Sequence, residues 1–225
     1  QIAVGVFAVF LAIRIVPREM QPLGSVLAAM VIAMVLSMIM GFIVAKWLGD
    51  ASVGARSAAT VAILLGLYSL SNLIFGTRPQ PVIPLVKGPL FQTDFINISQ
   101  LAIVTTALAI IVAIVAKLVL RYTMVGTRLR AVSDRQDAAE LMGINVMGLQ
   151  LGVWAATGLI AGFSVALVAN VQATDASSMI TILIPSAAAA LVGAFKRMDL
   201  AIIGGLSVGA LQGLLTAFPS LVLLK

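Results

Sequence analysis

Ser133, Asp134, Gln136, Asp137 and Glu140 form the densest group of hydrogen-bonding and titratable side chains in the chain. Carboxylates in such a group can hold or move protons, but little else here completes a catalytic set. The chain contains no histidine and no cysteine. Thiol catalysis, disulfides, zinc sites and histidine proton relays are therefore excluded, and no metal or cofactor is expected. No Gly-Lys pair occurs, so there is no phosphate-binding P-loop, and any ATP chemistry must come from another polypeptide. A serine activated by a lysine is the one nucleophilic arrangement left, and the lysines sit near the ends of apolar runs. The chain reads as a protein that is not an enzyme.

The chemistry left to the polar group is that of a helix and its ends. Ser133 followed by Gln136 fits a capping box, in which each side chain satisfies the other residue's backbone N–H. Asp134 and Asp137 would then lie in the first turn, where the helix dipole favours them. Gly143 is placed to end the helix in the left-handed conformation. The spacing predicts a short helix over Asp134–Met142. Asp134, Asp137 and Glu140 would share an acidic face, and Ala138, Ala139 and Met142 a shallow apolar one.

The surrounding chain must position this group, and it is 61% hydrophobic with only 10% charged residues. A mean hydropathy of +1.15, with several apolar runs of about 20 residues, describes an all-α polytopic membrane protein. The expected spans are Leu23–Ala45, Ala58–Phe75, Leu101–Leu120, Val146–Val171 and Leu200–Phe218. Ile2–Val16 reads as a first helix whose start is trimmed, and Met179–Phe195 as a span kinked or broken at Pro185. That makes about seven spans in one domain over residues 1–225. Gly76–Ser99 carries Pro79, Pro81, Pro84 and Pro89 and is expected to be an irregular external cap. Gly126–Asn145 is the polar segment at the opposite surface. With that segment in the cytoplasm, eight basic residues fall inside, among them Lys46, Arg121, Arg128, Arg130 and Arg135, against four outside. The net charge of +6 follows from such loops and needs no nucleic acid.

No acidic residue falls in the middle of a predicted span. A proton-coupled carrier usually keeps one there, so a machine powered from outside the chain is the better reading, with a passive channel as a less favoured alternative. Ser69, Asn72, Asn170 and Gln212 are the polar candidates for a path through the membrane, although such side chains often bond their own backbone. Gly158 and Gly162 give one helix a small face. Gly205, Gly209 and Gly213 place three glycines on one stripe of the last helix, suited to close packing within the subunit or, less favoured, a seam with a partner.

The order Gly126, Arg128-x-Arg130-Ala131, Ala138-Ala139, Glu140, Gly143-Ile144 resembles the cytoplasmic signature of the branched-chain amino-acid permease family of ABC importers. The resemblance runs from about Leu64 to Pro219. Sugar, nucleoside and urea importer permeases carry related versions of the motif. The chain departs from the family pattern at Lys46–Ala59 and at Leu191–Asp199. The resemblance implies a permease subunit in a bacterial inner membrane. It would work with a second homologous permease, two ATPase subunits and an extracytoplasmic binding protein. It further implies that Arg128, Arg130, Ser133, Gln136, Ala138, Ala139, Glu140 and Gly143 belong to the segment that couples to the ATPase. The implied cargo is a branched-chain or related amino acid, with urea or short amides next and sugars or nucleosides after them.

Overall fold

The computed structural model describes residues 1–20, 23–48, 52–76, 89–93, 96–169, 183–192 and 198–217. The helices are α1 (Ile2–Ile15), α2 (Leu23–Trp47), α3 (Val53–Phe75), α4 (Gln100–Tyr122), α5 (Met124–Asp134), α6 (Gln136–Leu141), α7 (Val146–Ala169), α8 (Leu183–Val192) and α9 (Met198–Ala217). The class is all-α. One short antiparallel pair, β1 (Pro89–Thr93) and β2 (Ile96–Ser99), precedes α4.

Four helices are long and apolar enough to cross a membrane: Leu23–Trp47, Ala58–Phe75, Ile103–Tyr122 and Val146–Ala169. Ile2–Ile15 and Leu200–Gly213 are apolar but shorter. The expected count of about seven is thus not reached among the described residues. The ten described residues of α8 are about 15 Å long at 1.5 Å per residue, half of a hydrocarbon core. Pro185 is third among the described residues of α8, and the rest of the expected Met179–Phe195 span, 179–182 and 193–195, lies outside the described residues.

Two element ends differ from the sequence expectation. α3 begins before Ala58, at Val53, because Ser52 caps it by accepting a hydrogen bond from Ala55 N–H at 3.3 Å. The second half of the proline-rich segment pairs as a hairpin instead of remaining irregular. Pro89 opens β1, where a strand tolerates proline, and Thr93, Ile96 and Ile98 are β-branched.

The core lies where α1, α2 and α7 meet. Val6, Val9, Phe10, Val26, Ala29, Val165 and Ala166 form one buried cluster there, with Val4, Ala8 and Ala33 in a second. In a bilayer apolar contact gains little from leaving water, so close approach of backbones and dispersion must hold such helices together. The α2–α7 seam is built that way. A Cβ on Gly162 would stand 2.7 Å from Ala29 O, and one on Gly158 would stand 2.7 Å from Ala33 O and collide with Ser37. A Cβ on Gly41 would run into the Trp154 ring. Ser37, fully buried, donates to the carbonyl oxygen of Trp154 at 2.6 Å. α3 joins through Phe75, whose ring lies 5.6 Å from those of both Phe7 and Phe10.

Candidate functional site

The polar segment is a two-helix element, α5 and α6, inserted between α4 and α7. It leaves α4 through a sharp corner. Thr123 caps α5 by accepting from Gly126 N–H at 3.4 Å, while its hydroxyl donates to Val119 O at 2.6 Å. The corner brings α5 so near the end of α4 that a Cβ on Gly126 would overlap the backbone of Leu120. Arg130 Nε closes the turn by donating to Gly126 O at 3.3 Å.

The predicted capping box is not formed. Ser133 lies inside α5, and Arg135 is the N-cap of α6 without a side-chain bond. The reason is the apolar spacing of Leu129 and Val132. Together with Ser133 these line a cleft against Leu149, Gln150, Val153 and Trp154 of α7, and that packing carries α5 on to Asp134. Arg135 is extended, with φ −150° and ψ 106°. Its N–H donates to Ala131 O and its carbonyl accepts from Ala139 N–H, each at 3.1 Å, so one residue is the whole joint. Asp134 therefore ends α5, and only Asp137 lies in a first turn. The single acidic face is divided between two helices.

Gly143 does what its spacing predicts. Its φ is +78°, Gly143 N–H donates to Glu140 O at 2.9 Å, and Ile144 N–H donates to Ala139 O at 3.1 Å. That pair of bonds is the Schellman ending of a helix. Asn145 then caps α7, its Oδ1 accepting from Gly148 N–H at 2.8 Å, a signal present in the sequence and overlooked there.

The expected apolar face of α6 is also redistributed. Ala139 is fully buried inside the chain, so it is not available to an outside groove. Ala138 is exposed, and the large apolar groups turned outward are Leu141, 89% exposed, and Met142, 69% exposed. Arg128, Arg130, Gln136 and Glu140 are exposed beside them.

A cleft of about 580 Å³ opens between α4, α7 and α9. Its walls are aliphatic, with Phe163 and the hydroxyls of Thr105, Thr106 and Ser164 among them. Of the polar residues proposed for a path, the described Ser69, Asn72 and Gln212 do not line it. Asn72 donates to Tyr68 O at 3.2 Å, one turn back in its own helix, and its Oδ1 is buried without a partner among the described residues. Ser69 is exposed on α3, Gln212 is exposed on α9, and Asn170 lies outside the described residues.

The glycines separate into two groups. Gly158 and Gly162 are buried at the α2–α7 seam. In α9 the tight contact is made by Gly204, where a Cβ would stand 2.7 Å from Val192 Cβ of α8. Gly205 has only ordinary contact with Ala189, and a Cβ on Gly209 or Gly213 would meet nothing within 4 Å. The two outer glycines of the stripe thus face away from the described chain.

The family described as "Branched-chain amino acid transport system / permease component" matches residues 1–223. The chain belongs to this family. It is a multi-pass membrane member of these permease components, with the four spanning helices given above. It is 29% identical over 177 residues to "Probable branched-chain amino acid transport permease protein LivH" of Methanocaldococcus jannaschii. The match covers 75% of this chain and 55% of that relative, so the chain spans about half the relative's length. No solved structure matches it.

Proposed function

We propose that this chain is the membrane-spanning permease subunit of a binding-protein-dependent importer, forming half of the path for branched-chain or related amino acids. ATP hydrolysis would be supplied by two separate ATPase subunits, and the other half of the path by a second homologous permease. The bilayer would be a bacterial inner membrane, with the binding protein docking outside. The observation that carries this reading is the placement of α5–α6. The element is tied to α4 by the Gly126 corner and to α7 by the Gly143–Asn145 ending, and those two helices supply most of the wall of the cleft. A force applied to the exposed Leu141 and Met142 side would therefore reach both walls through short, hydrogen-bonded joints. An ATPase can transmit a change only through contacts that differ between its states, and a rigid element of this kind provides them. No span contains a carboxylate, which supports an external energy source over proton coupling.

The test is purification through a tag on this chain, followed by reconstitution. Two ATPase subunits, a second permease and a binding protein should be recovered, and proteoliposomes should take up leucine only with ATP inside. Uptake independent of ATP would make the chain a passive channel. A binding protein loaded with urea or a sugar would move the cargo to another class.

A further inference from the structure

We infer that the corner between α4 and α5 is a docking surface for the headgroup of an anionic phospholipid, with Arg121 and Arg128 as the groups that recognise it. The inference does not depend on the importer reading above.

Three observations carry it. The first is depth. Arg121 and Tyr122 are the last residues of the Ile103–Tyr122 span, where polar groups meet the membrane surface. The chain does not then run out into water. Leu129, Val132 and Ser133 of α5 share a cleft with Leu149, Gln150, Val153 and Trp154 of α7. Val153 stands about 10 Å from the start of α7, at 1.5 Å per residue. α5 therefore lies beside the first turns of a spanning helix, at the level where headgroups meet acyl chains. A water-soluble partner docks beyond the helix ends, whereas lipid is already present at this level.

The second observation is charge. Residues 95–133 contain Lys117, Arg121, Arg128 and Arg130 and no carboxylate. The acids that follow, Asp134 and Asp137, stand at the far end of α5 and on α6. Arg130 is turned back to Gly126 O. Arg121 and Arg128 are exposed, and neither forms an ion pair among the described residues. Arg121 Cζ stands 5.5 Å from the centroid of the Tyr122 ring, which steadies the guanidinium and leaves its N–H donors for a ligand. Guanidinium donors beside a span are matched by phosphate oxygens.

The third is the apolar company these cations keep. Tyr122 is 72% exposed and Met124 is 73% exposed, large apolar groups suited to an interface and not to open water. Behind Arg121 on α4, Leu118, Ile114 and Ile111 follow at three- and four-residue steps, and all are exposed. That stripe lies on the opposite side of α4 from Ala109, Ala113 and Ala116, which face the cleft shared with α7 and α9. An aliphatic stripe that ends in an arginine repeats the order of a phospholipid, acyl chain and then charged headgroup. A zwitterionic lipid also fills the stripe, but its own ammonium cancels the phosphate charge, so two arginines favour a headgroup of net negative charge.

The test uses the complex purified through a tag on this chain and placed in nanodiscs. The chain has no cysteine, so Met124→Cys gives it one site for a bimane label, and labelling of the unsubstituted complex gives the background. Brominated phosphatidylglycerol or brominated phosphatidylcholine is added at equal fraction to a phosphatidylcholine bilayer, and quenching is read. Phosphatidylglycerol should bind at position 124 about tenfold better or more, and raised salt should shrink the preference. Arg121→Gln and Arg128→Gln should each remove about fivefold of it. A label at Ile103→Cys, at the opposite end of the same span, should be quenched equally by both lipids. Equal quenching at position 124 would make the corner an ordinary lipid contact and overturn the inference. A preference that survives both arginine substitutions would also overturn it, since the recognising charge would then lie elsewhere. A label at 124 shielded from both lipids would assign the corner to another subunit and overturn it equally.

Discussion

Gly126 and the backbone of Leu120 occupy adjoining space so closely that no side-chain carbon fits between them. A corner of this kind can be made only by glycine. Gly126→Ala should force α5 away from α4 at a cost of about 3 kcal/mol, the upper part of the range for overpacking. Lower melting temperature in detergent and loss of uptake are expected together. Unchanged stability would mean that the corner relaxes freely and transmits little.

Leu141 is a better probe of the proposed ATPase contact than Ala139. Ala139 is buried inside the chain, so Ala139→Asp would bury an unpaired charge and destabilise the fold itself by several kcal/mol. Leu141 is 89% exposed, and Leu141→Asp should leave the melting temperature of the subunit within about a degree or two. Stimulated ATP hydrolysis in the assembled complex should fall sharply. Normal stimulation in Leu141→Asp would place the ATPase contact elsewhere.

Gly158→Leu and Gly209→Leu should behave differently. The first drives a side chain into Ser37 and the Ala33 carbonyl, so the isolated subunit should be lost from detergent extracts. The second enters open space among the described residues, so the isolated subunit should survive. If the Gly209–Gly213 face is where the second permease packs, Gly209→Leu should still lower the yield of the complex, measured by co-purification. An unaffected complex would assign that face to lipid.

Cysteine labelling of intact cells checks the orientation. A cysteine at Gln92, in β1, should react with an impermeant reagent, and one at Gln136, at the start of α6, should not. The reverse pattern would invert the topology.

The broad class was legible because it depends on composition. Apolar runs of spanning length leave few alternatives to membrane helices, and both ends of α1 and α4, the last residue of α2 and the first of α7 fall within a few residues of expectation. Gly143 was legible too, since a glycine after a short amphipathic run has one common use. Ser133 was misread because Leu129 and Val132 find a seat on α7, a tertiary contact that local capping signals do not contain. Ala139 and Gly204 were hidden for the same reason. Which small residue of a helix meets a neighbour depends on rotation about the helix axis, and an almost uniformly apolar sequence does not encode that rotation. The cleft was invisible because its hydroxyls are ordinary serines and threonines until α4, α7 and α9 are set side by side.

Ser37 and Trp154 are joined across 117 residues of sequence. Synthesis at 5–20 residues per second separates their appearance by roughly 6–23 s. Throughout that interval α2 stands in the bilayer with only the α7-facing side of Ala29, Ala33, Ser37 and Gly41 uncovered, a row of small residues shaped for a helix that does not yet exist. The core of this permease is therefore completed late, by insertion of α7 against two helices already in place. Events that hold the early helices apart from unrelated neighbours, or that delay α7, will decide its yield before any transport step begins.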